Sequence, residues 1–146
     1  MARPASQHPT DLELEILKAL WRLGPSPVRR VRDALAAGAP GSPPRDLAYT
    51  SVMTVMTIMT NKGYLRRARE KSDGGYVYHA KAKQRSTAGR MLRDLVDRAF
   101  SGSTGAAVLN LLESSEITPE ELRQLRELID RRQRQQPTPP PKEQRP

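Results

Sequence analysis

The chain has 146 residues, 36% of them apolar, with six aromatics and 25 Lys+Arg against 16 Asp+Glu, a formal net charge of +9. That suits one small domain with a modest core, or a domain plus an appendage; no apolar run nears the roughly 18 residues that cross a bilayer, and MARPASQHPT lacks the apolar centre of a secretory signal. The absence of Cys excludes disulfides, thiolate metal sites and Cys nucleophiles, and fits a reducing, cytoplasmic setting, while the basic excess favours an anionic partner, nucleic acid before membrane surface.

Residues 1–9 are short and polar, and are expected to be disordered. A first helix follows. Thr10 and Glu13 have capping-box spacing, and Leu12, Ile16, Leu20 and Leu23 recur at helical intervals, with Leu17 and Trp21 alongside. Trp21 reads as core, with a ligand contact as the alternative. Gly24-Pro25 ends the helix. A second helix starts at once, with Ser26 as N-cap and Pro27 in its first position, burying Val28, Val31 and Leu35. Arg29, Arg30 and Arg32 lie off that stripe, either as a solvated face or as a set facing phosphates. AGAPGSPPRD is then a loop.

The third element, TSVMTVMTIMTNK, is the most informative. Val52, Val55, Met56 and Met59 fall at i, i+3, i+4 and i+7, one apolar face. At about 100° per residue, Thr50, Thr54, Thr57 and Asn61 fall opposite. Threonine favours strands, but the spacing, the length and the stop at Gly63 favour a helix. Hydroxyls can bond base edges in a major groove, and a Thr methyl can meet the methyl of thymine. An uncharged solvated face is the alternative. The Met residues read as core.

Two strands follow. One starts at Tyr64-Leu65 and runs into RRAREK, SDGG turns the chain, and YVYHA returns. Arg66, Arg67, Arg69 and Lys71 crowd this ribbon, although edge strands also carry such charge simply to resist aggregation. His79, without a second His near it, reads as a strand-end residue and not a metal ligand. The order helix, helix, Thr-rich helix, basic hairpin is that of a winged helix-turn-helix over residues 10–82, with DNA as its expected ligand.

Residues 83–131 read as three amphipathic helices. Leu92, Leu95, Val96 and Ala99 form one stripe, and Ala107, Val108, Leu111 and Leu112 a second. Leu122, Leu125 and Ile129 form the third, after a start signal at Thr118-Pro119-Glu120-Glu121. So short a segment cannot readily close its own core, so the stripes are expected to bury against a symmetry mate; packing back on the first domain is the alternative. Residues 102–130 are acidic, with six Asp+Glu against two Arg, which suits protein contact better than a polyanion. Residues 132–146, basic and Pro-rich, are expected to be a disordered tail.

The series TDLELEILKALW, GPSPVRRVRDAL, RDLAYTSVMTVMTIMTNKGYL and YVYHA resembles the penicillinase-repressor (BlaI/MecI) family over roughly residues 10–130. The resemblance implies a mainly α fold with a small β-hairpin wing and a helical dimerisation module. It also implies a homodimeric repressor on inverted-repeat operators in double-stranded DNA, often near β-lactamase or stress-response genes, hence cytoplasmic and associated with the nucleoid. By position, Thr50, Ser51 and Thr54 become base or phosphate contacts, and Lys62, Arg67, Arg69 and Lys71 phosphate contacts. The family usually has an Arg-Leu pair where Ile58-Met59 stands, and basic residues where Thr60-Asn61 stands. A reduced phosphate grip or a different operator follows. Some family members are cut within the dimer module under control of a membrane sensor protease. The matching bond is Asn110–Leu111, although Phe usually follows that Asn, and Asn110 is equally a polar helix residue.

The chain is therefore read as a DNA-binding repressor with no cofactor and no metal. A winged-helix module that binds protein instead of DNA is the alternative. An enzyme lacks material here: there is no Cys, no paired His, no Gly-rich phosphate loop and no evident carboxylate pair.

Overall fold

The computed structural model describes residues 8–70 and 75–136. The elements run α1 (Asp11–Leu23), α2 (Val28–Ala37), α3 (Tyr49–Asn61), β1 (Leu65–Arg69), β2 (Tyr76–Ala80), α4 (Gln84–Ala99), α5 (Thr104–Ser114) and α6 (Pro119–Gln135). The chain divides into two compact units, residues 1–95 and 96–146. The division falls inside α4, past the boundary expected at residue 83.

The first unit is a winged helix-turn-helix. α1 opens on the expected capping box: the Glu13 N–H donates to Thr10 Oγ1 at 3.2 Å and the Thr10 N–H to Glu13 Oε1 at 2.9 Å. Ile16, Leu17 and Leu20 of α1 meet Val28, Val31 and Leu35 of α2 and Val52, Met56 and Met59 of α3 in one buried cluster. Full burial stabilises each such side chain by roughly 1.5–3 kcal/mol. Trp21 packs against this cluster, and its Nε1–H donates to the Ala82 carbonyl at 2.8 Å, so it belongs to the core.

Ser26 is not the cap of α2. Pro27 holds that position without a side-chain cap. Ser26 is fully buried in an antiparallel bridge, its N–H donating to the Tyr78 carbonyl at 3.1 Å and the Tyr78 N–H returning to Ser26 O at 2.9 Å. The bridge draws the hairpin onto the α1–α2 corner. The α2–α3 connection is also tied down. Arg45 Nε lies 2.9 Å from Glu15 Oε2, and Lys18 Nζ donates to Ser42 Oγ at 2.8 Å. Gly38 starts the connection at φ 73°, and a Cβ there would lie 2.9 Å from Pro44 Cγ.

The end of α3 sets the path into the hairpin. The Tyr64 N–H donates to Met59 O at 2.9 Å and the Gly63 N–H to Thr60 O at 3.1 Å, with Gly63 at φ 87°, a Schellman arrangement. β1 and β2 pair antiparallel, Leu65 opposite Ala80 through Arg69 opposite Tyr76. Buried Leu65 and Tyr78 anchor the ribbon to the core. The Glu70 N–H donates to Gly75 O at 2.8 Å at its far end. Lys71 and residues 72–74 of the expected SDGG turn lie outside the described residues.

The second unit is helical. The Gly102 N–H closes on the Val96 carbonyl at 3.1 Å, and Ser103 caps α5 by accepting from the Ala106 N–H at 3.1 Å. α6 opens on the expected Thr118–Glu121 capping box with Pro119 in its first turn. It continues through Gln135, so residues 132–135, expected in the disordered tail, are helical. Among the described residues, no helix is long and apolar enough to cross a membrane.

Candidate nucleic-acid interface

α3 presents its two faces as the spacing requires. Val52, Met56 and Met59 are buried and Val55 half-buried, while Thr50, Ser51, Thr54, Thr57 and Asn61 are all exposed. Three threonine hydroxyls turn back on their own helix: Thr54 Oγ1 donates to Thr50 O at 2.8 Å, Thr57 Oγ1 to Met53 O at 2.9 Å and Thr60 Oγ1 to Met56 O at 2.8 Å. This explains how a helix tolerates so many threonines, since each donor is satisfied locally. A hydroxyl has one donor and two acceptor sites, so Thr54 and Thr57 turn lone pairs and methyls outward. Three residues not singled out from the sequence as contacts share the exposed side: Tyr49, Met53 and Ile58. They follow from the same helical geometry, although in the sequence only the hydroxyls mark that face as polar.

No residue of α3 is charged. Its cap, Ala48, has no side-chain oxygen, so the first-turn N–H groups have no side-chain partner and the positive helix end stays open. Cations flank it instead. Arg29 and Arg30 are exposed on α2. On the wing, Arg67 and Arg69 are two apart and share a face, and Arg66 lies on the other. The Arg67 guanidinium stacks over the Tyr76 ring, 4.1 Å from its centroid. Stacking holds the group by one face and leaves its in-plane N–H donors directed outward.

Lys62, expected on phosphate, is paired with a carboxylate in the structure. Its Nζ donates to both carboxylate oxygens of Glu13 at 3.1 Å each. Glu13 is only 3% exposed and Lys62 37%. Burial pushes the Glu13 carboxyl pKa up. The Thr10 backbone N–H, the Lys62 ammonium and the Thr10 hydroxyl outweigh this, and the net result lies below the ordinary 4.5. The ion pair thus locks the start of α1 to the end of α3, a role the local sequence did not suggest.

In the second unit, Val108, Leu111, Leu122 and Ile129 are exposed, and Leu112 and Leu125 half-buried. Leu112, Leu122, Leu125 and Ile129 line one open groove of about 640 Å³. Leu109 and Leu128, not picked out from the sequence, are also exposed. Val96 and Ala107 are buried, so Val96 offers little surface in the single chain. Leu92, Leu95 and Ala99 are exposed on α4. The Asn110–Leu111 bond lies inside α5, where the Ser114 hydroxyl donates to the Asn110 carbonyl at 2.6 Å. A protease that needs an extended strand could act there only after α5 unwinds.

A buried three-helix core, a hairpin on its corner and an exposed third helix between cations define a winged helix-turn-helix of the DNA-binding kind. The penicillinase-repressor family pattern matches residues 9–131. The transcriptional regulator BlaI of Mycobacterium tuberculosis is 35% identical over 104 residues, 70% of each chain. The penicillinase repressor of Bacillus licheniformis is 22% identical over 121 residues, 83% of this chain and 88% of the relative. The chain belongs to the penicillinase-repressor family of transcriptional regulators.

Proposed function

We propose that the chain is a homodimeric, sequence-specific repressor that works in the cytoplasm on nucleoid DNA. The exposed, uncharged hydroxyl face of α3 carries this reading. Thr50, Ser51, Thr54, Thr57 and Asn61 contact base edges in the major groove. Arg29, Arg30, Arg67, Arg69 and Lys71 hold phosphates, and the open N-terminus of α3 receives one more. Lys62 reaches phosphate only by leaving Glu13, so its main work is structural.

Leu92, Leu95, Ala99, Val108, Leu111, Leu112, Leu122, Leu125 and Ile129 bury against a second copy. Two-fold symmetry then presents two α3 helices, and the operator is an inverted repeat. The name of the Bacillus relative makes a β-lactamase gene one candidate target. A membrane sensor protease acting at Asn110–Leu111 is a candidate release mechanism. Selection of bound duplexes from a random pool tests the core of this reading. An inverted repeat with fixed half-site spacing is expected, with affinity that falls steeply as salt rises. Recovery of no consensus contradicts it.

A further inference from the structure

Thr50, Thr54 and Ile58 stand four residues apart on one ridge of α3, all on the exposed side. Ile58 is 44% exposed, although β-branched aliphatics are among the residues most often buried. Beside it, the hydroxyl hydrogens of Thr54 and Thr57 are engaged by the carbonyls of Thr50 and Met53. The middle of the ridge therefore offers methyl groups and acceptor lone pairs, and no donor. Guanine shows two acceptors to the major groove and is best read by Arg or Lys, neither of which occurs between Tyr49 and Asn61. Thymine shows a methyl group, the base feature an exposed isoleucine matches.

We propose that Ile58, with the Thr54 methyl on the same ridge, packs against the C5 methyl of a thymine in each operator half-site. α3 thus selects thymine at that position by apolar contact. The inference deepens the repressor reading and rests on it. It also gives Ile58 a role that neither charge nor hydrogen bonding would reveal.

The test uses the full chain and the best duplex from the random-pool selection. Each thymine is replaced by uracil, one position at a time and in both half-sites, which removes only the methyl. One position is expected to lose about fourfold in affinity per half-site, from the roughly 0.8 kcal/mol of one buried carbon group, and about 15-fold for the pair. In Ile58→Ala the thymine-to-uracil ratio at that position falls towards one, the remainder coming from the Thr54 methyl, while other positions are unchanged. Ile58→Val keeps an intermediate ratio. Because Ile58 lies on the surface, both variants keep the wild-type unfolding midpoint. A duplex indifferent to uracil throughout, or a ratio unaltered in Ile58→Ala, overturns the contact and leaves the repressor reading standing. A pool without a consensus overturns both.

Discussion

The two units of the chain treat their apolar residues in opposite ways. In the first, Ile16, Leu17, Val31, Val52, Met56, Met59 and Leu65 are essentially removed from water. In the second, only Val96 and Ala107 are buried among the described residues, while Leu109, Leu111, Leu122, Leu128 and Ile129 stay exposed. Both segments show the same helical periodicity. Periodicity thus identifies an apolar face but not what covers it: three helices and a hairpin close a core within residues 10–82, and two helices and part of a third do not.

The largest expected effect follows from the uncovered face. Leu122→Ser removes a side chain that occurs twice in a two-fold dimer, so dimerisation should weaken by roughly 3–6 kcal/mol at about 1.5–3 per leucine. Sedimentation should show the midpoint moving by at least two decades in concentration with the monomer still folded. An unaltered dimer would place the interface elsewhere. In the first unit, Leu17→Ala should cost about 2–5 kcal/mol of stability through the cavity left behind. Urea unfolding at several protein concentrations should show the same loss at each, since that core needs no partner.

Glu13→Gln should cost about 1–3 kcal/mol at neutral pH by breaking the tie to Lys62. The Glu13 pKa is lowered on folding, so the stabilisation is present above about pH 4.5 and fades as the pH drops through the lowered value. Wild type and variant should converge in unfolding free energy once the pH lies below that lowered value. A gap that persists there would assign the loss to something other than charge. The smallest effect belongs to the wing: Arg67→Ala should weaken binding to all duplexes alike and reduce the salt slope by about one.

Much of the fold was legible because its signals are local. The Thr10–Glu13 and Thr118–Glu121 boxes, the stop at Gly63 and the period of α3 need only a few neighbouring residues. What escaped was non-local. Ser26 has the chemistry of an N-cap, yet its partner is Tyr78, on a strand far along the chain. Glu13 was legible as a capping residue, but nothing nearby tells that Lys62 meets it across the core. The threonine face was visible as a pattern, and its local bonding to carbonyls explains it afterwards. The end of α6 was expected too early because polarity argued against burial, and a capped helix can run on in solvent without burial.

In the proposed repressor, α3 and not the wing distinguishes one sequence from another. The most direct measurement compares the affinities of wild type and of Thr54→Ala/Thr57→Ala for the selected duplex and for a scrambled one at equal salt. Discrimination should drop by roughly 1–3 kcal/mol for each base no longer read, while affinity for the scrambled duplex is kept. Equal losses on both duplexes, or none on either, would contradict that role of α3.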